Sequence, residues 1–67
     1  MNTYKLRDWH PLDGPSKAYL EFVVDAAKDR VTITGHNPYY GTISHVFTIK
    51  DAREMYQYYL NRDYIPD

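Results

Sequence analysis

The chain has 67 residues, eight basic and nine acidic side chains, and a net charge of −1. It is too neutral for a dedicated nucleic-acid binder, which needs a net positive face to displace counterions, or for an acidic mimic of DNA. With no cysteine, disulfides, thiolate catalysis and cysteine-ligated metal centres are excluded.

A chain this short is expected to fold as one domain and to bury only about 60% of the surface it exposes when unfolded. A deep, dry active site is hard to build on that scale. The apolar run Phe22-Val23-Val24 is far shorter than a membrane span, and Met1-Asn2-Thr3-Tyr4-Lys5 has no apolar core of the signal-peptide kind. Together with the lack of cysteine, these features lead us to expect a cytoplasmic protein without membrane contact. Tyrosine is over-used, with eight copies. Its apolar body and polar tip suit the half-buried positions of a small domain, and also binding surfaces.

Residues 1–16 are expected to form an N-terminal arm. Within it, Tyr4 to Trp9 suits a short edge strand, with Tyr4 and Leu6 on one side and Lys5 and Arg7 on the other. Trp9 is expected to lock the arm down. His10 to Ser16, rich in proline and glycine, is expected to lack regular structure.

Residues 17–49 are expected to form an antiparallel sheet. From Lys17 to Asp25 the pattern alternates: Ala18, Leu20, Phe22 and Val24 share one face, and Tyr19, Glu21, Val23 and Asp25 the other. A turn over Ala26 to Asp29 leads to a second strand, Arg30 to Gly35, with Val31 and Ile33 inward. In the next loop Asn37-Pro38 starts a turn and Gly41 supplies a positive φ. Thr42 to Ile49 alternates again, placing Ile43, His45, Phe47 and Ile49 inward.

The strand registers can be fixed by mutual consistency. Pairing Asp25 with Arg30 sets Val24 opposite Val31 and Phe22 opposite Ile33. Closing the second hairpin from Asn37 to Gly41 sets Val31 opposite Phe47 and Ile33 opposite His45. Every inward residue then neighbours another, and a one-residue slip would turn a strand inside out.

After Ile49 the period becomes helical. Ala52, Met55, Tyr56, Tyr59 and Leu60 form one stripe over a helix at 51–61, with Asp51 and Glu54 as a capping box and Asn61 as a left-handed end. Residues 62–67 are a tail, in which Tyr64 and Ile65 fold back onto the helix or the sheet rim. The expected fold is α+β: a three-stranded antiparallel β-meander, with or without a fourth short N-terminal edge strand, and one C-terminal helix covering its apolar face (β-β-β-α).

No catalytic set emerges. Ser44 and His45 are adjacent in a strand and point to opposite faces, so they cannot form a nucleophile–base pair. His45 reads as a core histidine. No His-x-His or His-x3-His spacing exists for a metal, and the isolated glycines make no phosphate-cradling loop. The expectation is a non-enzyme with no cofactor and no metal.

What remains are surfaces. The uncovered sheet face carries Tyr19, Val23, His36 and Val46, with Val23, Thr32 and Val46 in one row. β-branched residues favour strands anywhere, so the row by itself does not define a site. Tyr39 and Tyr40 sit together at a loop tip, where at least one must be exposed, and Tyr58 lies on the outer helix face. These seven residues are the candidate binding positions. The functional expectation is a small protein-binding module, an inhibitor or adaptor, acting on another protein or on a second copy of itself. The alternative is a nucleic-acid-binding domain using the same open face.

Overall fold

The computed structural model describes residues 2–10 and 14–66, without the side chains of Trp9, His10, Pro15 and Ser16. The proposed locking by Trp9 therefore lies outside the described residues. Among these residues the chain forms a five-stranded antiparallel sheet and one helix, an α+β fold. The strands are β1 (Asn2–His10), β2 (Gly14–Asp25), β3 (Arg30–Asn37), β4 (Gly41–Phe47) and β5 (Tyr64–Pro66), with α1 (Ile49–Leu60) between β4 and β5. Their order across the sheet is β4-β3-β2-β1-β5.

Both registers read from the alternation are present. Asp25 pairs with Arg30, Val24 with Val31 and Phe22 with Ile33. Val31 pairs with Phe47, Ile33 with His45 and Asn37 with Gly41. The turns obey the expected chemistry. Asn37 Oδ1 accepts from the amides of Tyr39 (2.8 Å) and Tyr40 (3.2 Å), and Gly41 has φ 91°. At the β2–β3 turn Asp29 takes the left-handed conformation, and its Oδ1 accepts from the Ile49 amide at 3.3 Å. That bond ties the helix start to the first meander turn.

The ends of the chain differ from expectation. The N-terminal arm is a nine-residue strand lying between β2 and β5, so it is interior over Leu6, Arg7 and Asp8, where β5 pairs with it. Regular pairing runs into the Pro/Gly-rich segment: Trp9 pairs with Pro15 and His10 with Gly14, after a register shift between Arg7 and Trp9. Proline lacks one amide donor but can hold an extended φ, so it punctuates without stopping the strand. Tyr64 and Ile65, expected to fold back, do so as β5, opposite Asp8 and Arg7. The sheet therefore has five strands instead of three or four.

The helix also begins and ends differently. It runs Ile49–Leu60, with Thr48 as the N-cap; Thr48 Oγ1 accepts from the Asp51 amide at 3.2 Å. Thr48 precedes Asp51 in the chain, so its hydroxyl takes the capping role expected of the Asp51/Glu54 box and draws Ile49 out of the strand. Asn61 is right-handed, at φ −76°, and the left-handed residue is Asp63 at φ 68°.

The core is Leu6, Phe22, Val31, Ile33 and Ala52, with the expected stripe Met55, Tyr56, Tyr59 and Leu60 packed on it. Tyr56 meets Phe22 edge-on at 5.4 Å, and Tyr59 meets Tyr64 at 5.0 Å. Helix and sheet differ in length, and this decides what is covered. Twelve helical residues span about 18 Å. The twelve extended residues of β2 span about 40 Å, which matches the molecule's 40 Å long axis. The helix cannot reach everything, and the helix-side residues of β4 are left out: Gly41, Ile43 and His45 are exposed, and only Phe47 is half-buried. His45, expected in the core, is exposed for this reason, beside Phe47 at 6.3 Å.

Candidate functional site

The sheet's open face is built in rows. Thr3, Val23, Thr32 and Val46 form one; Lys5, Glu21, Thr34 and Ser44 the next; Arg7, Tyr19, His36 and Thr42 the third, with Ile65 beyond Arg7. The valine row is where the register put it, and β1 extends it by a threonine. Val46 is 61% exposed because it lies on the outermost strand. Hydroxyl pairs bridge β3 and β4: Thr34 Oγ1 and Ser44 Oγ lie 2.9 Å apart, and His36 Nδ1 lies 2.9 Å from Thr42 Oγ1. Ser44 and His45 therefore occupy opposite faces, and no nucleophile–base pair exists between them.

Tyr19 and His36 are brought together, stacked with centroids 5.0 Å apart and planes 25° apart. On the β1 side, Lys5 Nζ lies 4.7 Å and Arg7 Cζ 5.5 Å from the Tyr19 centroid. Cations over an aromatic face are attracted by its quadrupole. The ring therefore has an imidazole stacked on it and two cations near its centroid, all of which a nucleobase would have to displace. The central position of β1 had not been anticipated. It adds Lys5 and Arg7 to a face on which β2 and β3 place Lys17, Glu21, Asp25 and Arg30, so cations outnumber carboxylates there.

The loop Pro38 to Tyr40 carries the most exposed aromatics: Tyr39 is 88% and Tyr40 92% exposed. Their backbone is fixed by the two bonds to Asn37, so the turn is ordered while both rings face water. Tyr58 is half-exposed with Arg62 Cζ 4.5 Å from its ring, but it sits on the helix, across the sheet from Val23 and His36. The seven candidate residues thus fall into an open-face group (Tyr19, Val23, His36, Val46), an adjoining loop pair (Tyr39, Tyr40) and a separate helix position.

Two grooves open on the other face, and the first runs beside the helix. One, of about 590 Å³, is lined mainly by Tyr4, Phe22, Val24, Val31, Ile49 and Tyr56, with Arg53 at its rim. The second, of about 320 Å³, lies over Leu20, Gly35 and Ile43, between Tyr40 and Tyr64. A Cβ at Gly35 would stand 3.4 Å from Leu20 Cδ2 and 4.0 Å from Ile43 Cγ2, within van der Waals contact of the groove's floor. Burial, the Asp8 carboxylate and neighbouring Tyr59 hold the Tyr64 phenol above its usual pKa of 10.0. Among the described residues no group of His, Asp and Glu side chains has metal-binding geometry, and no helix is long and apolar enough to cross a membrane.

Ile43, 64% exposed on β4, is with His45 a residue that the alternation placed inward and the structure exposes. No Asp, Glu, Lys or Arg occurs between Asn37 and Ile49, in a chain that is 25% charged, but this pattern does not distinguish a covered strand from an exposed one. Comparison with protein-family models, with curated proteins and with solved structures finds no match.

Proposed function

We propose that this protein is a small non-enzymatic binding module of the reducing cytosol, an inhibitor or adaptor that docks on another protein. The contact is the Tyr39–Tyr40 loop with the adjoining Tyr19–His36–Thr42 end of the open face. One observation carries the reading: two nearly fully exposed tyrosines stand on a turn already ordered by Asn37. Exposed aromatics are the commonest energetic anchors of interfaces, and a pre-ordered loop loses little entropy on docking.

The test is quantitative capture from the native host extract with wild type, the Tyr39→Ala/Tyr40→Ala pair, and Tyr58→Ala. A partner held by wild type and by Tyr58→Ala should weaken at least about thirtyfold with the loop pair, the equivalent of one anchor worth about 2 kcal/mol. A specific partner indifferent to the loop pair would refute the reading.

The second reading, nucleic-acid binding, draws support from the excess of cations on the open face. The Tyr19 ring, already engaged by His36, Lys5 and Arg7, weighs against it, because single-strand platforms need free aromatic faces. Oligonucleotide affinity that falls steeply with salt would favour it over the protein reading.

A further inference from the structure

We infer that the free edge of β4 is a self-association surface, through which two copies join by an antiparallel β4–β4 contact into one continuous ten-stranded sheet. β4 is the outermost strand, its seven pairs to β3 run without a break, and its other side presents unpaired backbone groups to solvent. Natural edge strands are usually blunted by charge, proline, a bulge or a covering element. β4 has none of these: Gly41–Phe47 carries no Lys, Arg, Asp, Glu or Pro, and it is exposed.

The composition selects a second copy as the occupant. Residues 37–49 are free of formal charge, so a two-fold axis brings no charge against its own image. Such an axis pairs residue i with n − i, where n is even. Odd residues then meet odd, and even meet even; full overlap of Gly41–Phe47 sets n at 88, so Ile43 faces the partner's His45 on the helix side, Val46 faces the partner's Thr42 on the open side, and Ser44 lies opposite its own copy. These two side chains are 64% and 61% exposed in the single chain.

The opposite edge of the sheet cannot accept β4 in the same way. β5 has three residues, ends in Pro66 and covers only Leu6, Arg7 and Asp8. A head-to-tail β4–β5 chain of copies is therefore disfavoured, and the closed two-fold pair is the solution. One strand-to-strand contact lies at the small end of specific interfaces, below about 1,200 Å² in total, so dimerisation in the micromolar range is expected.

Sedimentation of the full chain across the micromolar range should give a concentration-dependent two-chain mass. Ile43→Lys should return the one-chain mass with an unchanged circular-dichroism spectrum. Should Ile43→Lys unfold, Ser44→Lys serves in its place. Because the chain has no cysteine, Ser44→Cys should oxidise to a covalent dimer, whereas Tyr58→Cys on the helix should not. A wild-type monomer at high-micromolar concentration, assembly beyond two chains, or a dimer that survives a folded lysine variant would each overturn the inference. The Tyr39→Ala/Tyr40→Ala pair should remain dimeric, so this result is independent of the fate of the loop reading.

Discussion

Tyr64 joins the three-residue β5 to the helix through its ring contact with Tyr59, and it lies across from Asp8. Its raised phenol pKa has a consequence for stability. The unfolded phenol releases its proton near 10.0, while burial, Asp8 and Tyr59 make the folded one hold it longer. Above 10.0 the folded state therefore binds more protons than the unfolded state, and stability falls as pH rises towards the folded value. Below 10.0 both forms are protonated and the effect is absent. Urea denaturation at rising pH should show wild type losing stability above 10.0 faster than Tyr64→Phe. Parallel curves for the two proteins would contradict this. The two proteins differ only at residue 64, so the difference isolates Tyr64.

At the scale of elements, the junction between β4 and α1 is a single residue. Thr48 is extended at ψ 162°, and its hydroxyl accepts from the Asp51 amide. Asp51 adds a negative charge to the first helical turn, where the helix dipole favours it. Thr48→Ala should lower stability by about 1 kcal/mol in chemical denaturation, the usual worth of an N-cap, and should leave the sheet registers intact. An unchanged midpoint would mean that the Asp29–Ile49 bond alone starts the helix. The helical stripe was legible in the sequence because a 3.6-residue period survives a two-residue error at either end. The cap was not, since Thr48 and Asp51 both suit the role and only the path out of β4 chooses between them.

On the scale of the whole molecule, Leu6 is the point where the layers meet. It pairs with Leu20 on β2 and Pro66 on β5, and it is fully buried in the core with Ala52 of the helix. Leu6→Ala should cost about 2–5 kcal/mol, a large share of the roughly 5–15 kcal/mol that holds a domain together. A loss under about 1 kcal/mol by denaturation would show that the arm is dispensable to the core. The sequence placed Leu6 only on a short edge strand. Its centrality follows from β5, three residues at the far end of the chain that turn the N-terminal arm into an interior strand.

Local chemistry settled the middle of this protein. Strict alternation over Ala18 to Val24 and over Ile43 to Phe47, an Asn-Pro turn closed by Gly41, and a helical stripe from Ala52 to Leu60 each carry their own structural instruction. Hydrophobic alternation then fixes the register, because a slip exposes a whole face. Those instructions also set the valine row, the Tyr19–His36 neighbourhood, the exposed loop tyrosines and the separation of Ser44 from His45. Other features depended on lengths and distant partners. A helix of about 18 Å over a sheet more than twice as long leaves β4 uncovered. That mismatch moved Ile43 and His45 from core to surface, and only folding brought Lys5 and Arg7 beside Tyr19. A period of two tells which residues share a face; how much of that face is covered depends on the size and placement of the element above it, which no local pattern encodes.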